Sequence, residues 1–175
     1  MVERLWVPQW RKAWGLYCRS QVKNMHPTSR FLGRVTLNDP DGLTIGRHVR
    51  IGRGCFLFCL GGLAIGDGTM LSRNITIYTA NHDTGQDHIP YGHDYVSRGV
   101  TIGRGVWIGM DVRIAPGVTI GDGAVVGMGT VVSKDVPAGA VVVGAPQRVV
   151  GSRDMERAKD LLETGAFFAA EWPDA

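Results

Sequence analysis

Several things this sequence lacks narrow what it can be. No apolar run approaches the ~18 residues that a membrane-spanning helix needs, and the first residues have no apolar core of the kind that marks a secretory signal. No long basic run exists either: 19 Lys and Arg face 16 Asp and Glu, for a net charge of +3. Nucleic-acid binding normally needs a concentrated basic face, so no nucleic-acid partner is expected. Cysteine is scarce and odd in number, with Cys18, Cys55 and Cys59 lacking the paired spacing of a metal site. They are expected to be free thiols in a reducing compartment, and the cytoplasm is the default location.

What is abundant is glycine, at 25 of 175 residues, and it is periodic. From Val100 to Ser133 an aliphatic residue recurs every six positions, at Ile102, Ile108, Ile114, Ile120, Val126 and Val132. In five of those six cases the next residue is Gly or Ala. This is neither the 3.6 period of a helix nor the period of 2 of a half-buried strand. A sustained six-residue period predicts a parallel β-helix of hexapeptide repeats, each hexad being one short strand of a three-sided coil. Three hexads make a coil of 18, and Val100-Thr101-Ile102-Gly103 returns as Val118-Thr119-Ile120-Gly121 at that separation. The aliphatic of each hexad should point inward and stack on its equivalents in neighbouring coils. Small residues such as Val106, Val118 and Ala124 should fit inward at the corners.

The period divides the chain into three parts. Residues 1-30 form an N-terminal helical segment, with an amphipathic helix from Gln9 onward and Pro8 near its start. Trp6, Trp10, Trp14 and Tyr17 recur on this segment at spacings of three and four among Arg and Lys. One reading lays this aromatic stripe over the first coils; the other is a helix lying in a membrane interface, giving peripheral membrane contact. Residues 31-151 form the β-helix. Its early coils repeat at 20 rather than 18, since Asp41-Gly42-Leu43-Thr44-Ile45-Gly46 matches Gly61-Gly62-Leu63-Ala64-Ile65-Gly66, so two extra residues are expected at a corner. Residues 152-175 read as a C-terminal capping helix with Ser152 as N-cap, which Gly165 ends or bends.

The period breaks once. One coil after Gly66 the equivalent Gly should stand at position 84, but it stands at Gly103, so roughly 19 residues are inserted, at about 78-100. The stretch TANHDTGQDHIPYGHDYVSR has no hydrophobic period and carries three of the five histidines. Long loops in compact domains are usually functional. Asn81-His82 stands where the chain leaves the coil. A His there can serve as general base, because its proton affinity lies near neutrality. Trp107 takes an outward position whose equivalents are Met70 and Val125, and it needs something to cover it.

These motifs, above all TIGRGVWIGMDVRIAPGVTIGDGAVVGMGTVVSKDVPAGAVVVGAPQRVV, resemble the hexapeptide-repeat acyltransferases. The likeness is greatest to the branch of maltose, galactoside, nodulation-factor and polysaccharide O-acetyltransferases, and it covers about residues 31 to 151. The resemblance implies an all-β, left-handed parallel β-helix with N-terminal and C-terminal capping helices. It also implies acetyl-CoA as co-substrate, no metal, and a homotrimer whose sites lie between subunits. His82 is similar to the family's catalytic base, and Asn81 or a backbone N–H would stabilise the oxyanion. Trp107 would pack beside the pantetheine arm, Met110 and Met128 would line the CoA groove, and Lys134 and Arg148 would meet the nucleotide phosphates. Sugar acetyltransferases of this family often have Gly where this chain has Asn81. The acceptor would be a sugar or glycan hydroxyl, or an amino sugar.

Two other classes fit the scaffold. The β-helix is shared with the γ-class carbonic anhydrases, whose zinc takes three His, two of them five apart as His88 and His93 are here. These histidines, however, share one insertion with no coil to set tetrahedral geometry. The remaining alternative is a non-catalytic scaffold.

Overall fold

The six-residue period becomes three flat faces wound into a prism. The structure is a computed structural model that describes residues 9–84, 91, 93–145, 148–152 and 154–166. The first face stacks five parallel strands, Asn24–Met25, Leu43–Ile45, Leu63–Ile65, Val100–Ile102 and Thr119–Ile120. The second runs Arg30–Phe31, Arg50–Ile51, Met70–Leu71, Trp107–Ile108, Val125–Val126 and Ala140–Val143, and Arg148–Ser152 closes it as an antiparallel strand. The third holds Thr36–Asn38, Phe56–Phe58, Thr76–Tyr78, Arg113–Ile114 and Val131–Val132. The coils therefore begin at Asn24, earlier than the hydrophobic period alone indicates.

Inward residues stack in register, Ile65 on Ile102 on Ile120 and Leu71 on Ile108 on Val126. Val106, Val118 and Ala124 fill the corners from inside, each at most 2 % exposed. At about 25 cal/mol per Å² of apolar surface, burial accumulates along the axis, and no coil can bury its own inner surface alone. The cysteines are free and buried, as expected, and burial pushes the thiols of Cys55 and Cys59 up to about 11 and about 12.

The register also locates every irregularity in coil length. Pairing partners lie 20 residues apart in the early coils (Leu43 with Leu63, Arg50 with Met70), 37 apart across the insertion (Leu63 with Val100), 18 apart just above it (Thr101 with Thr119) and 16 apart in the last coil (Val125 with Val141). The steps Ile45 to Ile51 to Leu57 and Ile102 to Ile108 to Ile114 are both regular. The surplus falls in each case between the third face and the next strand of the first, so the extra residues and the insertion share one edge of the prism.

The edge between the first and second faces is stitched by carboxylates. Asp67 accepts from the Arg47 backbone N–H at 2.6 Å and pairs with its guanidinium at 2.9 Å. Asp122 does the same one stage higher for Arg104, at 2.8 and 2.7 Å. Burial alone would raise the Asp67 carboxyl, but the Arg47 N–H and guanidinium outweigh it and hold the group below its ordinary range.

The two helices differ from expectation in informative ways. Helix α1, Gln9–Ser20, covers the stretch from Gln9 that the sequence reads as amphipathic helix, but its aromatic stripe does not lie on the coils. Its buried residues are Gly15 and Cys18, while Trp10, Trp14, Leu16 and Tyr17 stay exposed. A Cβ on Gly15 would collide with the Phe31 carbonyl oxygen, so the helix sits too close for any larger residue on that side. Trp6 and Pro8 lie outside the described residues. Helix α2, Met155–Thr164, is capped by Asp154, whose side chain accepts from the Arg157 N–H at 3.1 Å, and not by Ser152, which is used in the preceding strand. Gly165, at φ 68°, ends it, and residues 167–175 lie outside the described residues. Met155 packs over Gly139 and Leu162 over Gly105, so α2 runs along the edge between the first and second faces. Among the described residues no helix is long and apolar enough to cross a membrane.

A Cβ on Gly66 would lie 2.6 Å from the Gly103 carbonyl carbon and 2.8 Å from the Arg104 nitrogen, both backbone. Gly66→Ala is therefore expected to cost about 1–3 kcal/mol by forcing adjacent coils apart. Denaturant unfolding checks this, and an unchanged midpoint would show that the stack yields at that edge.

Candidate active site

The insertion leaves the third face after Tyr78 and forms a two-stranded antiparallel ribbon at its base. Ala80–His82 pairs with Tyr95–Ser97, with His82 opposite Tyr95. Asp83 N–H to Asp94 O at 2.9 Å carries the ladder one step further, and Arg98 N–H to Thr79 O at 2.7 Å returns the chain to the coil. His82 thus stands on backbone pairing anchored in the prism.

Aromatic rings enclose the imidazole. Tyr91 stacks on it at a centroid distance of 3.8 Å and 13°, and Tyr95 lies tilted at 4.4 Å. The Tyr95 hydroxyl is 3.3 Å from Nε2, while Nδ1 is buried with no hydrogen-bonding partner among the described residues. Behind Tyr95 come Phe58 at 5.6 Å, Tyr78 edge-on to Phe58 at 5.5 Å, and Phe56 stacked on Tyr78 at 5.5 Å. A continuous aromatic band therefore runs from the outer surface of the third face to His82. Tyr78, Tyr91 and Tyr95 remain about two-fifths exposed (39 to 46 %). None of these partners stands out in the sequence, because each lies in the aperiodic insertion or at an outward position where any residue type is allowed.

Asn81 is exposed on the same strand. Successive side chains of a strand point to opposite sides, so its amide projects away from the His82 ring. The oxyanion role given to the Asn81 side chain meets this geometric objection. A backbone N–H does not.

Trp107 lies elsewhere, on the second face, in register between Met70 and Val125 as the period predicts. It is 54 % exposed and borders a cleft of about 300 Å³ between that face and α2, lined also by Met70, Leu161, Leu162 and Ala166. Met110 and Met128 are equivalent residues of successive coils on the edge between the second and third faces. The Met110 sulfur accepts from Arg73 at 3.3 Å, and Met128 is 67 % exposed. Lys134 follows the last strand of the third face and Arg148 opens the closing strand of the second, so both stand toward the C-terminal end of the prism but on different faces. His82 is absent from the lining of the Trp107 cleft.

The described residues hold no cluster of three His, Cys, Asp or Glu side chains of metal-binding size, and His88 lies outside them.

Residues 99–134 match the family model for bacterial transferase hexapeptide (six repeats). Nodulation protein L of Rhizobium meliloti (strain 1021) is 38 % identical over 138 residues, 79 % of this chain and 75 % of that protein. A maltose O-acetyltransferase from Clostridium difficile 630 superposes with a TM-score of 0.71 at 31 % identity, covering 78 % of this chain and 72 % of the other. A hexapeptide-repeat acetyltransferase from Vibrio cholerae, solved with acetyl coenzyme A, gives 0.70 at 27 % identity, covering 77 % and 73 %. Period and coil register agree with these likenesses, and the chain belongs to the left-handed β-helix, hexapeptide-repeat acyltransferases.

Proposed function

We propose that this chain is an acetyl-CoA-dependent O-acetyltransferase acting on a hydroxyl of a sugar or glycan, with His82 as general base. The observation that carries this reading is the setting of His82: an imidazole fixed by backbone pairing, walled by aromatic rings, with an O–H group already in hydrogen-bonding range of Nε2. An acceptor hydroxyl in the place of the Tyr95 hydroxyl would pass its proton to the ring while its oxygen attacks the thioester carbonyl carbon. The carbon–sulfur bond then breaks, and the imidazolium returns the proton to the departing thiolate. A backbone N–H would steady the oxyanion between these steps. Exposed faces of Tyr78, Tyr91 and Tyr95 suit a pyranose, whose C–H edges carry partial positive charge and meet the negative face of an aromatic ring.

The separation of His82 from Trp107 supports a site shared between copies. His82 leaves the third face, Trp107 stands on the second, and the cleft beside Trp107 does not reach the histidine. A three-fold ring would set one chain's His82 against the next chain's Trp107, with the pantetheine arm passing Met110 and Met128 toward Lys134 and Arg148. Free, buried cysteines favour a cytoplasmic enzyme, and the glycan acceptor favours a part in polysaccharide synthesis.

Labelled acetyl-CoA offered with a panel of sugars and nucleotide sugars tests the activity; no transfer to any of them would remove the sugar acceptor. His82→Ala is expected to reduce turnover by roughly 10² to 10⁴ with acetyl-CoA binding retained, and near wild-type turnover would end the assignment. Light scattering should return about three times the 19.0 kDa chain mass, and a monomer at micromolar concentration would exclude the shared site. Lys134→Ala or Arg148→Ala should raise the Michaelis constant for acetyl-CoA by more than about tenfold, the worth of a charge-assisted contact. Titration with acetyl-CoA and dephospho-CoA checks this, unchanged affinities in both variants ruling out a phosphate contact.

A further inference from the structure

The outer side of α1 is unusual for a helix packed on a protein. Of its 12 residues only Gly15 and Cys18 are buried. The aromatic side chains face away from the coils, with Trp10 55 %, Trp14 38 % and Tyr17 55 % exposed, and Leu16 is 67 % exposed beside them. At 100° per residue, Trp14, Trp10, Tyr17 and Ala13 follow one another on the outward side, and Leu16 lies beyond Ser20 and Gln9 on the same side. Cations flank it: Lys12 and Arg19 along one border, Arg19 also donating to the His26 and Ser29 carbonyl oxygens, and Arg34 over the Trp14 ring at 5.0 Å along the other, while Arg11 lies over the Trp10 ring at 5.2 Å with its Nε buried on the packed side.

The charge of this end is as one-sided as its aromatic content. Between Gln9 and Arg34 stand Arg11, Lys12, Arg19, Lys23, Arg30 and Arg34, with no Asp or Glu. Lys23 pairs with Asp41 from the next coil, at 2.8 Å. The chain as a whole is nearly balanced, at +3, so this basicity is local.

We propose that the outer face of α1 docks on an anionic lipid bilayer, with the helix lying in the headgroup region and its solenoid side held by the first coils. Trp and Tyr rings settle at the boundary between headgroups and acyl chains, where an amphipathic ring meets both phases. Flanking Lys and Arg are drawn to anionic headgroups. At 12 residues the helix is far too short to span, so attachment is peripheral and reversible. Gly15 fits this arrangement: its lack of a side chain presses the helix against Phe31 and leaves the aromatic side for the bilayer. The inference stands apart from the acyl-transfer reading, since no residue in it belongs to the candidate site.

Sedimentation of the full chain with phosphatidylcholine vesicles, and with vesicles of equimolar phosphatidylcholine and phosphatidylglycerol, tests it. At low salt the anionic vesicles should bind the protein at least about tenfold more tightly, added salt should weaken this, and tryptophan emission should shift to the blue. Trp10→Ala with Tyr17→Ala should reduce binding about tenfold, and Lys12→Glu severalfold while Lys12→Arg retains it. All three positions are exposed, and thermal unfolding confirms that the variants fold; if the double variant does not, the Lys12 pair decides alone. Equal binding to both vesicle types, no binding to either, or variants that bind like the wild type would overturn the proposal. So would a lower mass by light scattering for the Trp10 and Tyr17 variant, which would make this face a contact between copies.

Discussion

The structure depends on one constraint: the backbone groups of each coil are satisfied by the coils above and below. Strand residues bond across the stack, and so do the turns, as in Gly66 N–H to Ile102 O, Gly103 N–H to Ile120 O and Gly121 N–H to Val136 O. An isolated coil would leave these donors and acceptors to water and its aliphatics exposed. The same constraint holds corners to a narrow gauge. Buried Ser29 and Thr69 place hydroxyls at corners where a carbonyl of the next coil needs a donor and a backbone N–H an acceptor. Asp67 and Asp122 act from outside as acceptors only, each taking a backbone N–H of the adjoining coil with charge added.

That gauge explains how much of the molecule was legible in its sequence. Stacking favours aliphatics inside and small residues at the turns, so the coil length, the inward column and the outward place of Trp107 can be read from the period. The size and position of the insertion follow from the same arithmetic. The site is half legible. His82 is visible as a histidine at the point where the period breaks, but Tyr91 and Tyr95 sit in a stretch without period, and Phe58 and Tyr78 occupy outward positions the stacking does not restrict.

The helices were read less well, for different reasons. An aromatic stripe at spacings of three and four ordinarily marks a buried face, and α1 reverses this because the docking distance over Phe31 admits only Gly15 and Cys18. At the other end, Ser152 has the chemistry of an N-cap but is taken up in the strand that closes the second face, which moves the cap to Asp154. In both places a tertiary contact outweighs a valid local signal.

The crowding of every surplus residue onto one edge divides the prism by tolerance to change. Across two edges the inward residues keep the same step in every coil, and Gly46, Gly66, Gly103, Gly52 and Gly109 there leave no room for a Cβ against the adjoining coil. The third has absorbed two extra residues in each early coil and a long excursion in another while the inward columns stayed in step. Variation in length is thereby channelled to the edge that carries His82 and its aromatic surroundings, away from the Met110 and Met128 edge and the Trp107 face. Chains built on this frame can differ in length at a single edge, leaving the stacking of the rest of the prism untouched.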